Sequence, residues 1–258
     1  MSIRKIILVL LYLALCLKLW SQVHFSYKHY NGQKYHIIAQ VDEQVLRNGQ
    51  TIYRTQILNR IAIEVKELRG QDAWLDVNYQ ISEEAENGKF FSWAKESRAE
   101  FSISPQGIYK NLAPDAVLPS LRNVPSFPDR ALQTGEGWNA PGIEIHDLSE
   151  IFGIPARLRF HFSADYMYRG EEIFQGRKLK HITLFYSISE DVRKQLPQNL
   201  LHYRDTDETL DIPRSVRARH SIELYWDSER GLPVFQKEDF EVSYLLRNGE
   251  TVTFRGRS

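Results

Sequence analysis

His146 and Asp147 are the most enzyme-like pair in the chain. An imidazole beside a carboxylate can serve as base and orienter. Adjacent side chains on a strand point to opposite faces, however. No nucleophile accompanies the pair, because no cysteine follows Cys16 and no Gly-x-Ser-x-Gly turn is present. The competing reading has Asp147 capping a short helix while His146 packs or hydrogen-bonds nearby, and no catalytic residue is assigned. The eight histidines are scattered, with neither His-x-x-x-His nor His-Glu-x-x-His among them. Neither a metal site nor a cofactor is expected.

Asn59 is the next candidate. It shares a strand face with Ile57, Ile61 and Ile63, while Arg60 lies opposite. An asparagine among aliphatic side chains must be hydrogen-bonded or it costs about 1–3 kcal/mol. It is either a pin for a neighbouring loop or a polar point in a ligand cavity. Trp74, Trp93, Trp138 and Trp226, with many Tyr and Phe, could line an apolar pocket in a curved sheet; aromatic residues on strands are more often core. Asn59, Trp93, Trp138, His146 and Trp226 are therefore the candidate ligand or partner contacts. Gly135 and Gly137 read as turn residues, since no helix start with Lys-Ser/Thr follows them.

The elements that must position these residues are strands. Asn-Gly occurs at 31–32, 48–49, 87–88 and 248–249, each time beside strand-like sequence. Both central residues of a type I′ hairpin turn need positive φ, which Asn and Gly tolerate best. Alternation of period two supports a meander: Leu75, Val77, Tyr79 and Ile81; Phe160, Phe162, Ala164, Tyr166 and Tyr168; Ile182, Leu184, Tyr186 and Ile188; Ile222, Leu224 and Trp226; Phe240, Val242, Tyr244 and Leu246. One wet face and one buried face mark antiparallel sheet. Helical signal is thin. Ser189 with Glu190 and Asp191 could cap a helix towards Leu201, weakened by Pro197, and a second short helix is expected from near His146 to Gly153. The fold class is mainly β, an antiparallel meander curved into a half-barrel or sandwich with one or two short helices. Prolines 114, 119, 125 and 128 mark residues 113–128 as either a seam between two sheets or a loop crossing one.

Residues 1–21 have the layout of a secretory signal peptide: basic Arg4 and Lys5, an apolar run from Ile6 to Leu17, and small Ser21 at the cleavage point. That run is shorter than the roughly 20 residues needed to span a bilayer. Cys16 lies within it, after Leu15 where a lipobox wants a small residue, so a lipid anchor is the lesser alternative. Residues 22–258 form the exported β-rich domain. Three of the 33 basic residues lie in the leader, leaving 30 against 33 acids, net −3. Such a balance argues against nucleic acid as a partner. No later segment is long and apolar enough to span a membrane.

From about Tyr27 to Arg255 a series of landmarks resembles the N-terminal β-rich region of spirochaetal envelope proteins of the OmpA family. They include Gly32-Gln33-Lys34-Tyr35, Ile57-Leu58-Asn59-Arg60-Ile61, Ser92-Trp93-Ala94-Lys95-Glu96, Arg122-Asn123-Val124-Pro125-Ser126-Phe127-Pro128 and Gly135-Glu136-Gly137-Trp138. Further on come Glu144-Ile145-His146-Asp147-Leu148, Phe152-Gly153-Ile154 and Tyr225-Trp226-Asp227-Ser228-Glu229-Arg230-Gly231. No stretch matches the Asp- and Arg-containing signature of the C-terminal OmpA-like domain that holds peptidoglycan, so peptidoglycan binding does not carry over. The resemblance implies an envelope compartment and a fold.

The expectation is a non-catalytic, exported, periplasm-facing structural or interaction protein whose partner is an envelope protein or the cell wall. The alternative is a carrier sheltering a lipid or other apolar ligand in a curved sheet. A hydrolase centred on His146 and Asp147 is the third reading.

Overall fold

The computed structural model describes residues 22–85, 92–93, 96–113, 124–196 and 211–258, with backbone alone at 83–85, 92–93 and 150–151. Twelve strands form one antiparallel sheet. They are β1 (Lys34–Arg47), β2 (Gln50–Arg69), β3 (Asp72–Ala85), β4 (Ser92–Trp93), β5 (Ser97–Ile103), β6 (Tyr109–Lys110), β7 (Gly137–Asp147), β8 (Arg157–Phe174), β9 (Arg177–Asp191), β10 (Pro213–Asp227), β11 (Leu232–Leu246) and β12 (Thr251–Arg257). Their spatial order is β6-β5-β3-β2-β1-β12-β11-β10-β9-β8-β7, with β4 beside β3. Two meanders, β1 to β6 and β7 to β12, are thus fused by the pairing of β1 with β12. The proline-bearing connection joins β6 and β7 at opposite ends of the strand order, so it links the two edges of one sheet.

The sheet curls into a half-barrel. In a flat sheet β7 and β11 would lie four spacings apart, roughly 19 Å. Here the Tyr244 hydroxyl of β11 meets His146 Nδ1 of β7 at 2.5 Å across the concave face. Register shifts at Tyr168/Gly170 and Tyr225/Trp226 place bulges in this half, and bulges add bend and twist. Two glycines let rings lie flat on the inner face. A Cβ on Gly142 would come 2.3 Å from the Phe162 ring, and one on Gly256 2.8 Å from that of Phe240. Between them Phe162, Tyr186, His220 and Phe240 stack in sequence across β8 to β11, with centroids 3.9, 4.4 and 6.2 Å apart.

At the lower end, where β1, β3, β9 and β11 begin, the chain before β1 crosses beneath the half-barrel. Val23 bridges Leu132, Tyr27 N–H bonds Pro105, and Lys28 N–H bonds Gly231. Phe25 and Tyr27 pack there on Phe127, Trp138, Tyr168 and Trp226.

Asn48 and Gly49 both have positive φ in the β1–β2 hairpin, as a type I′ turn requires. At 248–249 only Gly249 does, and 31–32 turns the chain into β1 rather than joining two strands. Asn87-Gly88 lies outside the described residues. Helix α1 (Leu148–Phe152) forms where expected, with Asp147 accepting from Ser149 N–H at 2.9 Å and Gly153 in the left-handed region at its end. The helix expected from Ser189 is corrected as far as Leu196: β9 continues through Asp191 and a 3-10 turn (Arg193–Gln195) follows, while 197–201 lie outside the described residues. The period-two register of Ile182, Leu184, Tyr186 and Ile188 runs on into Glu190, so strand pairing with Val216 overrides the capping signal.

Candidate functional site

Two inward-facing regions bring polar groups together with apolar walls. The first lies in the C-terminal meander. On β7, Gly142, Glu144 and His146 share the inner face, set by their pairing with Phe162, Phe160 and Leu158. His146 Nε2 lies 2.7 Å from Glu144 Oε1, and the Tyr186 hydroxyl donates to Glu144 Oε2 at 2.8 Å. His220 Nδ1 lies 2.7 Å from Glu238 Oε1, while its Nε2 stands 3.5 Å from Glu144 Oε2 and makes no hydrogen bond among the described residues. Glu144, His220, Tyr186 and Tyr244 are each 1% exposed, Glu238 4% and His146 7%. The network ties β7, β9, β10 and β11 together across the interior.

Its connectivity, hydroxyl to imidazole to carboxylate, is that of a nucleophile–base–orienter relay. No member reaches solvent appreciably, and burial, then the negative charge of Glu144, pushes the Tyr244 hydroxyl well above the ordinary phenol range. A phenol so placed keeps its proton. Buried polar groups must be hydrogen-bonded or they are costly, and apart from His220 Nε2 these groups bond one another while closing the curl.

His146 therefore has a carboxylate partner, but it is Glu144 rather than Asp147. Asp147 points the other way, capping α1 and pairing with Arg157 at 3.0 Å. Sequence reasoning compared neighbours; the signal was at i and i−2, the strand period. Among the described residues no group of His, Cys, Asp and Glu is arranged to hold a metal ion.

The second region is the inner face of β1, β2 and β3. Register places Tyr35, Ile37, Ala39 and Val41 beside Ile63, Ile61, Asn59 and Ile57, and these beside Val77, Tyr79 and Ile81. Val77 and Tyr79 are buried, but most of this wall is half-buried and Ile37 is 38% exposed. Asn59 sits in the middle of it. Its Oδ1 is buried and makes no hydrogen bond among the described residues.

Trp138 and Trp226 pack away from both regions. Trp138 stacks on Tyr166 at 4.8 Å and donates to the Ser126 carbonyl at 2.9 Å. Trp226 is fully buried, edge-on to Tyr27 and Phe127. Both belong to the lower aromatic plug. Trp93 places its backbone opposite Ser82, and its side chain lies outside the description. On the outer face an open groove of about 630 Å³ runs over Asp42, Gln44, Arg54, Gln56, Asp239, Arg255 and Arg257. Two of its cations are matched by acids, Arg255 by Glu241 at 2.5 Å and Arg257 by Asp239 at 2.7 Å.

Among the described residues no helix is long and apolar enough to cross a membrane. Comparison of the chain with protein-family models and with curated proteins gives no match.

Proposed function

We propose that this chain is a non-catalytic, exported interaction module of a bacterial cell envelope, and that its working surface is the apolar trough of β1–β3. The observation that carries this is the unequal filling of one concave face. In the C-terminal meander that face is packed with aromatic and aliphatic side chains around a closed polar network. In the N-terminal one, aliphatic side chains from adjacent strands stay half-exposed. Apolar area left in contact with water and gathered in a concavity marks a binding surface. The export reading draws on the basic start and 12-residue apolar run of residues 1–21, and on the absence of cysteine from 22–258. Sequestration of the His146–Glu144–Tyr244 relay from solvent supports a non-catalytic role.

A second reading, a carrier for an acyl chain or similar apolar ligand, is favoured by Asn59. One polar group in an otherwise aliphatic wall is how apolar sites fix a ligand's orientation. The test is native mass spectrometry and lipid extraction of the protein purified from envelopes, beside an Ile57→Asp/Ile61→Asp variant. The variant is expected to fold and to lose the captured species. A captured envelope protein supports the module; a captured lipid shifts the assignment to carrier. Equal capture by both forms, or no capture by either, removes the trough as the site.

A further inference from the structure

The outer face of the C-terminal meander, near the upper end where β8 and β10 begin, carries three exposed arginines: Arg159 on β8, and Arg217 and Arg219 on β10. None of the three forms an ion pair among the described residues. The acids around them are already engaged, Asp191 by Arg193, Glu241 by Arg255 and Asp147 by Arg157. Register sets Arg217 beside Ser189, Arg219 beside Ser187 and Ser221 beside Phe185. These side chains point outward because Leu184, Ile188, Ala218 and Ile222, which alternate with them, are buried on the concave face.

The strands part in the middle of this face. The ladder of β8 with β9 stops at the pair of Asp165 with Phe185. Above it, β9 from Tyr186 to Asp191 is laddered with β10, and β8 from Arg157 to Ala164 with β7. Gln195 bridges the parting: its side chain accepts from Arg159 N–H at 2.8 Å and donates to the Arg159 carbonyl at 3.1 Å. A row of serine hydroxyls on β9, Ser187 and Ser189, thus runs between Arg159 on one side and Arg217 and Arg219 on the other. At the foot of the row Phe185 is 46% exposed and touches no other ring among the described residues. It is flanked by the Ser221 hydroxyl and by the Asp165 carboxylate, which accepts from Asn139.

We propose that this face binds an acidic polysaccharide, with one sugar ring lying on Phe185 and carboxylates along the chain meeting Arg159, Arg217 and Arg219. Unpaired guanidinium groups take carboxylates through two parallel hydrogen bonds. The electron-rich face of a phenyl ring attracts C–H groups, which line the faces of sugar rings, and serine hydroxyls with a carboxylate beside the ring suit sugar hydroxyls. Arg217 and Arg219 stand roughly 7 Å apart along β10, with Arg159 two strands or about 10 Å away. Cations so spread match charges repeated along a polymer rather than one small anion. A membrane is the poorer fit, since surface binders bury a whole apolar face and here one ring stands alone. This surface lies on the opposite face of the sheet from the trough, so either assignment can fail alone.

The probe is polygalacturonate, titrated calorimetrically into the full chain beside dextran, a neutral polysaccharide, and polyglutamate, a polyanion without sugar rings. Polygalacturonate is expected to bind most tightly of the three and to weaken as salt is added. Arg217→Ser/Arg219→Ser should weaken it about tenfold or more, the loss of at least one charge-assisted hydrogen bond. Phe185→Ser should weaken it about threefold to tenfold through the lost ring contact. All three positions are exposed, so each variant is expected to keep the circular dichroism of the parent. Lys178→Ser, at the lower end, should leave binding unchanged. The proposal is overturned by any of four results: no binding of polygalacturonate, equal binding of polyglutamate, which makes the patch a site for any polyanion, equal losses in the Lys178 variant, or full binding by the Phe185 variant. Capture of phosphatidylglycerol vesicles in place of the glycan overturns it in favour of a membrane.

Discussion

The two meanders use the same alternating pattern and reach different interiors. β7 to β11 curl tightly enough for β7 and β11 to touch, and every inner position from Phe160 to Tyr168 is buried. β1 to β3 carry aliphatic side chains of similar hydrophobicity, yet Tyr35 to Val41 remain at the water boundary. The difference lies in what bridges the concavity. In the C-terminal half, large rings, two glycines that let rings lie flat, and a polar network spanning four strands draw opposite walls together. In the N-terminal half Phe101 and Tyr109 pack near the base at 4.7 Å, and burial pushes the Tyr109 hydroxyl up to about 12. The described inner side chains of β1 and β2 above them are chiefly Ile, Ala and Val, too short to reach across. A sheet of uniform pattern thus becomes scaffold where its inner side chains meet and surface where they do not.

Breaking the network is expected to have the largest effect. Glu144→Leu leaves His146 and Tyr186 without their shared acceptor, and each buried polar group left unsatisfied costs about 1–3 kcal/mol, so about 2–6 kcal/mol together. Ile61→Ala in the trough should cost about 1–2 kcal/mol, roughly half the value for a fully buried site. Urea unfolding of the two variants measures the contrast. Equal losses would mean that the network does not set the halves apart.

The seam between the meanders comes next. A Cβ on Gly256 would stand 2.5 Å from the Asp42 carbonyl and 2.8 Å from the Phe240 ring. Gly256→Val should lower stability by about 1–3 kcal/mol through overpacking, with faster amide exchange in β1 and β12 than in β8 and β9. Uniform exchange across the sheet would show that the halves do not unfold separately.

The smallest effect concerns acid. Asp76 on the outer face of β3 bonds Arg98 at 2.7 and 2.8 Å and pairs with Lys66 at 3.3 Å. The Arg98 hydrogen bonds hold its carboxyl below the usual 3.8, outweighing desolvation. A depressed carboxyl contributes stability that is full above its unfolded value and is lost as pH falls through its folded one. Asp76→Asn should therefore cost stability at pH 7 and flatten the decline below about pH 4, read from unfolding midpoints across pH. A parallel decline in both proteins would place the acid sensitivity elsewhere.

Much of the architecture was legible because local signals agreed with the final pairing. Asn48-Gly49 names its own turn, and the inner faces of β3, β8, β9, β10 and β11 follow the alternation of their residues. Gln175-Gly176 makes an equivalent turn with φ of 49° and 74°, but glutamine carries no such preference, so that hairpin was silent. Glu144 was missed because its role depends on a tyrosine 42 residues away and on a wall that folds over it. Trp138 and Trp226 look alike in sequence as core or ligand contact; only the crossing of Phe25 and Tyr27 beneath them decides for core.

The sequence by itself determined that this protein is an antiparallel β meander, because a period of two and turn chemistry act between neighbours. It also placed Asn59 among aliphatic residues and the short helix between Asp147 and Gly153. The tertiary structure decided the pairing of β1 with β12, the partner of His146, and the dense filling of one half beside the half-buried inner face of the other. All of these depend on how far the sheet curls, and curl is the sum of twist, bulges and ring packing over the whole sheet, which no local window contains.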